Sequence, residues 1–265
     1  MTSEYVQLIR GIKPKKSLGQ SFLINSEIAK VEANYGAGKR VLELGPGFGI
    51  LTGELCGVAK SVVAIEKDST LFSILEARLK CGNAKLVNGD FFDIGNDYAN
   101  DCDIMISNIP YNLSSRVISW LAEHRMPALL CMQKEFVEHM LARPDTRKYS
   151  KLSVMAGLSF DIYQIMGVKA GNFYPRPKVD SAIVFMKPKG AVIPGDVGMV
   201  IAALIMHKKK TVRNAILDSR HALGIADSVA REIAEALPEA GERVFKLSPE
   251  ALEAVAAKIS GMLKR

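Results

Sequence analysis

The 265-residue chain contains no run of about 20 uninterrupted apolar residues, the length a membrane-spanning helix requires. Its opening segment carries Lys13, Lys15 and Lys16 where a secretory leader would be apolar. No membrane association is expected, and the sequence reads as a soluble, cytoplasmic protein. Cysteine is scarce. Cys56, Cys81, Cys102 and Cys131 lie far apart, form no C-x-x-C pair and have no histidine couple nearby, so neither a zinc site nor a disulfide framework is indicated. All four are expected as buried free thiols, and no metal site is expected. Disorder is disfavoured as well, because 48% hydrophobic and 24% charged residues are enough for a sizeable core with an accessory domain.

Charge is present but uneven. The net charge of +7 hides an acidic stretch, residues 41 to 103, with ten acids against five bases. A basic stretch, residues 104 to 213, holds sixteen bases against seven acids. Such a division suits a chain that holds a small ligand on one face and meets a polyanion such as RNA on another. A merely solvated basic surface is the alternative that charge alone leaves open.

Short β-rich apolar runs at Val41 to Leu44, Ser61 to Ile65, Asp103 to Ser107 and Ala128 to Met132 alternate with helical patterns. That layout predicts an α/β fold with a mainly parallel sheet. Ser181 to Met186 reads as one more strand, and Lys187 to Gly195 (KPKGAVIPG) as a Pro/Gly-rich connector. Beyond it, Ser228 to Leu237 and Pro249 to Leu263 have alanine-rich helical periodicity. We therefore expect a ligand-binding domain over residues 1–190 and a small helical domain over residues 191–265.

The first predicted strand runs into Gly45-Pro46-Gly47-Phe48-Gly49 and then a helical pattern from Ile50. Glycines at such a turn let the backbone approach a ligand, and the following helix offers free N–H groups. Ile50 stands where a dinucleotide fingerprint needs its third glycine, which disfavours a nicotinamide enzyme. A glycine turn can be purely structural. Here, however, Glu66 ends the next strand about 20 residues on, where an acid can accept from both hydroxyls of a ribose. Asp90, in Asn88-Gly89-Asp90-Phe91, follows a further short run, Lys85 to Val87, and could accept from an adenine amine. One such acid is usually a solvated cap, but ligand-type residues on successive strand ends match the edge at which α/β sheets bind ligands.

The fourth run ends in Asn108-Ile109-Pro110-Tyr111. The Asn108 amide oxygen and the Ile109 carbonyl could each accept one N–H of an exocyclic adenine N6 amine, turning its lone pair toward a methyl donor. Tyr111 would stack on the base, and Pro110 would stiffen the turn. Asn108 need not act as a base, since an amine that has accepted a methyl group sheds a proton readily. A plain strand-terminating turn is the alternative.

These residues resemble the ribosomal RNA adenine dimethyltransferase family, and the resemblance spans nearly the whole chain. Its pieces are Lys16-Ser17-Leu18-Gly19-Gln20-Ser21-Phe22-Leu23, the glycine turn with the preceding Glu43, then Glu66, Asp90, Asn108 to Tyr111 and Phe173 to Ser181. It implies a Rossmann-like class I methyltransferase sheet of seven mostly parallel strands, with a small helical C-terminal domain. It implies S-adenosyl-L-methionine as cofactor, held by Gln20, Ser21, Leu23, Glu43, Gly45, Gly47, Glu66, Asp90 and Asn108. Ser21 departs from the asparagine or histidine often found at its position. Asn108, Pro110, Tyr111 and Phe173 would form the catalytic pocket, with Phe173 and Tyr111 sandwiching a flipped adenine.

For RNA docking the resemblance points to Lys208, Lys209, Lys210 and Arg213 in the basic tail, together with Arg176 and Lys178. Lys151 belongs to a further RNA-facing stretch, Tyr149 to Ser153, with Ser-Lys where relatives often show Gly-Arg. Taken alone, a lysine run can be a solvated helix end. The implied reaction is dimethylation of two adjacent adenosines in the 3′-terminal hairpin loop of small-subunit rRNA. The implied partner is that rRNA within a pre-ribosomal particle, met by a monomer with a role in ribosome biogenesis. The competing readings are a large-subunit rRNA adenine methyltransferase and a non-catalytic ribosome assembly factor. Ile109, in place of a first proline, argues against DNA-adenine and glutamine methyltransferases.

Overall fold

A computed structural model describes Ile9 and residues 11–12, 14–15, 18–190 and 192–264. Lys13, Lys16, Ser17 and Ala191 lie outside the described residues. The chain divides into two compact units, one formed by Met1–Val137 with Ile162–Pro188, the other by Glu138–Asp161 with Lys189–Arg265. The helical unit thus includes a stretch, Glu138–Asp161, that the sequence boundary at 190/191 assigns to the first domain.

The first unit holds a two-stranded and a seven-stranded sheet. In chain order the strands are β1 (Phe22–Leu23), β2 (Arg40–Leu44), β3 (Ser61–Glu66), β4 (Ala84–Asn88), β5 (Ile104–Asn108), β6 (Ala128–Gln133), β7 (Phe160–Val168), β8 (Phe173–Tyr174) and β9 (Ser181–Pro188). The large sheet has the order β4-β3-β2-β5-β6-β9-β7. Its first five strands run parallel, and β9 pairs antiparallel with β6. Every residue of β2 after Arg40 is buried, as are the first four of β5, the near-continuous burial of strands covered on both faces.

Helices α1 (Ser26–Asn34), α2 (Ile50–Val58) and α3 (Ser69–Arg78) follow β1, β2 and β3 in turn, α2 and α3 within the acidic stretch. Ile28, Ala29 and Ala33 of α1 share one buried cluster with Leu51 and Leu55 of α2 and with Val41, Val62 and Ile106 of the sheet. Each fully buried aliphatic side chain contributes roughly 1.5–3 kcal/mol. After β2 the chain passes outward to β3 and β4 and then returns to the other flank of β2 as β5. The crevice at this reversal, outside the carboxyl ends of the strands, is where open α/β sheets bind ligands. Register brings those ends level: Leu44 lies beside Ile65, Glu66 beside Asn88, and Asn108 beside Cys131.

The second unit is helical. Its core joins Tyr149, Val200, Leu204, Ile216, Ile233, Val255 and Ile259. The two tail helices anticipated from periodicity run over Asp227–Ala236 and Pro249–Leu263. Ser248 caps the last by accepting from Ala251 N–H at 3.1 Å, with Pro249 in its first turn.

One expectation is overturned. Cys56 and Cys81 are joined as a disulfide across a separation of 25 residues, and neither is fully buried. Cys56 lies in α2 and Cys81 follows α3, and the packing of both helices beside β3 and β4 brings together positions that are remote in sequence. Of the two free thiols only Cys131 is buried.

Candidate active site

At the carboxyl edge of the sheet a cleft of about 1060 Å³, counting its open mouth, gathers the four catalytic candidates and all the cofactor-binding candidates named from sequence. The glycine turn forms its floor. Gly45 and Gly47 have φ of +67° and +58°, a region that penalises any Cβ. A Cβ on Gly47 would also lie 2.9 Å from the Phe22 ring. The left-handed Gly49 precedes α2 without any side-chain cap, so the first amides of that helix keep free donors.

Glu66, at the end of β3, is 6% exposed. One carboxylate oxygen accepts from Gly47 N–H at 3.0 Å and the other from Asp68 N–H at 2.8 Å. It therefore braces the glycine turn, while each oxygen keeps a lone pair for a further donor such as a ribose hydroxyl. Burial pushes its carboxyl above the usual range, against the pull of those amides. Asp90 accepts from Phe92 N–H at 3.0 Å and from the Lys67 ammonium at 2.6 Å, and the Lys67 hydrogen bond holds its carboxyl below the usual range. An ion-paired carboxylate of lowered pKa is a poor proton acceptor, though it can still accept hydrogen bonds.

The opening segment closes over this edge. Gln20 donates to Asp68 at 2.9 Å and accepts from Lys15 N–H at 2.7 Å. Ser21 donates to the Pro175 carbonyl at 2.9 Å, so its hydroxyl is used within the chain. β1 pairs antiparallel with β8, setting Leu23 beside Phe173. Phe173, 5% exposed, both lines the cleft and packs in the cluster with Leu23 and Cys131. The Tyr111 hydroxyl is hydrogen-bonded to the buried Ser181 hydroxyl at 2.7 Å, which fixes the plane of the ring. Burial raises its phenol.

Two buried polar atoms of the cleft, Asn108 Oδ1 and Glu43 Oε2, have no hydrogen-bond partner among the described residues. Orphaned polar groups are costly and uncommon, and two in one cleft mark it as built for a polar ligand. Glu43 is 2% exposed, and burial pushes its carboxyl up to about 8. Sequence reasoning missed three residues that order this edge: Ser181 behind Tyr111, Lys67 on Asp90, and Glu32, whose carboxyl accepts from Asn108 Nδ2 at 3.0 Å. The available signal for Glu32 was an acid amid the apolar face of α1.

The basic candidates are placed differently. Lys208 donates to the carbonyls of Arg147 and Tyr149, Lys210 pairs with Asp218, and Arg213 lies 3.7 Å from Glu235. Lys209, Lys151, Arg176 and Lys178 are exposed. Within the stretch Tyr149 to Ser153, Tyr149 is fully buried with its hydroxyl on the Leu247 carbonyl, and Ser153 is buried too. Lys151 is its exposed cation.

Residues 11–235 match the family described as ribosomal RNA adenine dimethylase. A probable ribosomal RNA small subunit methyltransferase A of Methanopyrus kandleri is 38% identical, the match covering 98% of each chain. One from Thermococcus gammatolerans is also 38% identical, over 90% of this chain and 87% of the relative. Among solved structures, a dimethyladenosine transferase from Plasmodium falciparum superposes with a TM-score of 0.76 at 25% identity, over 91% of this chain and 98% of that one. The 23S rRNA methyltransferase ErmE shares the fold, with a TM-score of 0.59 at 23% identity over 92% of this chain and 100% of its own. With its Rossmann-like class I methyltransferase sheet and its match along most of its length, the chain belongs to the ribosomal RNA adenine dimethylase family.

Proposed function

We propose that the protein uses S-adenosyl-L-methionine to dimethylate the N6 amines of two adjacent adenosines in the 3′-terminal hairpin loop of small-subunit rRNA. It does so as a cytoplasmic monomer acting on a pre-ribosomal particle, and thereby contributes to ribosome biogenesis. The observation that carries this reading is the orphaned Asn108 Oδ1, an acceptor lining the same cleft as the glycine turn, Glu43 and Glu66.

The cleft fits the cofactor chemically. Glu43, with its unpartnered oxygen, Glu66 and Asp90 offer carboxyl groups to a cation bearing ribose hydroxyls and an amine, and the positive-φ glycines keep side chains off the floor. When bound, S-adenosylmethionine supplies an electrophilic methyl group. The chain's residues do the rest. Asn108 Oδ1 and the Ile109 carbonyl accept the two N–H bonds of the adenine amine, which localises its lone pair. Tyr111, held by Ser181, and Phe173, held by the β1–β8 pair, fix the base plane between them. A neutral amide removes no proton. The methylated nitrogen is acidic and gives its proton to water, after which the tertiary product requires a second pass through the same site.

The test supplies labelled S-adenosylmethionine and undermethylated small ribosomal subunits to wild type and Asn108→Ala, and identifies the modified nucleoside. N6,N6-dimethyladenosine with wild type, absent with the variant, is expected. Label in large-subunit RNA, or subunit binding without transfer, would overturn the substrate or the reaction respectively.

A further inference from the structure

We propose that Glu32 is a positioning residue for the methyl transfer, one that holds the Asn108 amide nitrogen so that the amide oxygen faces the cleft. This rests on the reading of Asn108 given above and extends it to a residue outside the cleft lining.

Helix α1 buries Ile28, Ala29, Glu32 and Ala33. Three of these are the apolar face expected of a helix packed on α2, and the fourth is an acid 1% exposed. An unpaired acid in such a place is costly, and among the described residues no ion pair is formed by Glu32. Its hydrogen-bonding partner is Asn108 Nδ2, at 3.0 Å. The two ends of a side-chain amide are nearly equal in shape and opposite in hydrogen-bonding character, so only their partners decide which end points where. Glu32 Oε2 accepts from the NH₂ end, a role it keeps whether or not the acid's other oxygen carries a proton. The oxygen end is thereby left buried and unpartnered, the state needed to receive an amine N–H. A flipped amide would present NH₂ to NH₂ and repel the substrate. The other ionisable groups near Glu32 are Glu43 on β2 and Cys131 on β6. Neither carries a positive charge that could take over its role.

The experiment compares wild type with Glu32→Met, which keeps the volume and removes the acceptor, and Glu32→Gln, whose side-chain oxygen can accept the same bond. The readouts are kcat and KM with undermethylated subunits, S-adenosylhomocysteine affinity, melting temperature and proton exchange of the Asn108 side-chain amide. Expected is a fall in kcat of about 10²-fold in Glu32→Met, the scale of a misplaced reacting group, with cofactor affinity close to wild type. Glu32→Gln should recover most of that loss. The Asn108 amide protons, assigned by their disappearance in Asn108→Ala, should exchange slowly in wild type and Glu32→Gln.

An unchanged kcat in Glu32→Met overturns the proposal. So does a loss shared by cofactor affinity and melting temperature that glutamine does not restore, because that is a packing role. If Glu32→Met does not fold, fast exchange of the Asn108 amide in wild type overturns it. Failure of wild type to methylate adenine, or full activity of Asn108→Ala, overturns the underlying reading as well and is visible without any Glu32 variant.

Discussion

The cleft and the helical unit differ in how they spend their polar residues. At the sheet edge, acids and amides lie buried with bonding capacity left over: among the described residues Asn108 Oδ1 and Glu43 Oε2 have no partner, and Glu66 has lone pairs to spare. In the helical unit, cations that read as RNA ligands are bonded within the chain, Lys208 to two carbonyls and Lys210 to Asp218. Unused capacity in a buried place is expensive; two such atoms gather in the cleft, whereas the helical unit shows one among the described residues, Glu239 Oε2. Used capacity at a surface marks structure, and the same residue type can do either.

The largest contrast should appear in catalysis. Asn108→Ala is expected to lower kcat by at least about 10²-fold, the cost of losing an orienting acceptor, with S-adenosylhomocysteine affinity changed only a few-fold. Lys208→Met should leave kcat near wild type. Equal losses in the two variants would erase the distinction between the regions. Next in size is Glu66→Ala. It removes the brace on Gly47 and Asp68 along with an acceptor for a ribose, so cofactor affinity measured by calorimetry should fall by about 10-fold or more, two or more hydrogen bonds to a charged group being lost.

A smaller, sharper test divides the basic residues among themselves. Lys208→Met should lower the melting temperature, since two carbonyls of the Arg147–Tyr149 turn lose their donor. It should leave the salt dependence of subunit binding alone. Lys209→Ala and Lys151→Ala, both at exposed cations, should spare stability and each reduce the slope of log affinity against log salt by about 1. A slope change at Lys208 would show that its internal bonds open on binding.

The physical division also explains what could be read from the sequence. Glycines with positive φ, acids at strand ends and the N-x-P-Y turn are local signals, because one short segment contains both the residue and its constraint. They located Gly45, Glu66 and Asn108, and the fold places them in one cleft. The contacts of Glu32 with Asn108 span 76 residues and those of Tyr111 with Ser181 span 70, and nothing local announces them. The same holds for the Cys56–Cys81 pair and for the anchoring of Lys208, 61 residues from Arg147. β7 escaped a reading from the residues because it follows the helix Lys151–Ser159 with no turn residue between them, and its burial is not a clean alternation.

The last contrast concerns pH, and it separates the regions by sign. Burial raises Glu32 and Glu43 each to about 8 from an ordinary value near 4.5. The folded state then binds protons that the unfolded chain has released, so the stability these acids contribute is complete below about pH 4.5. It is lost as pH rises from there toward 8. In the helical unit the hydrogen bond from Lys210 holds Asp218 low, and that from Arg231 holds Asp227 low. Their contribution is present at neutral pH and lost on acidification, and it is small because both are exposed. Hydrogen exchange resolved by segment should therefore show protection of β2 and α1 declining from pH 5 to 8. Protection of the helix Val212–Leu223 should decline only below the ordinary range of Asp. Glu43→Gln should flatten the first trend and leave the second untouched. A cleft whose protection rises from pH 5 to 8 would mean that these two acids are already ionised when folded, with a counter-charge supplied from elsewhere.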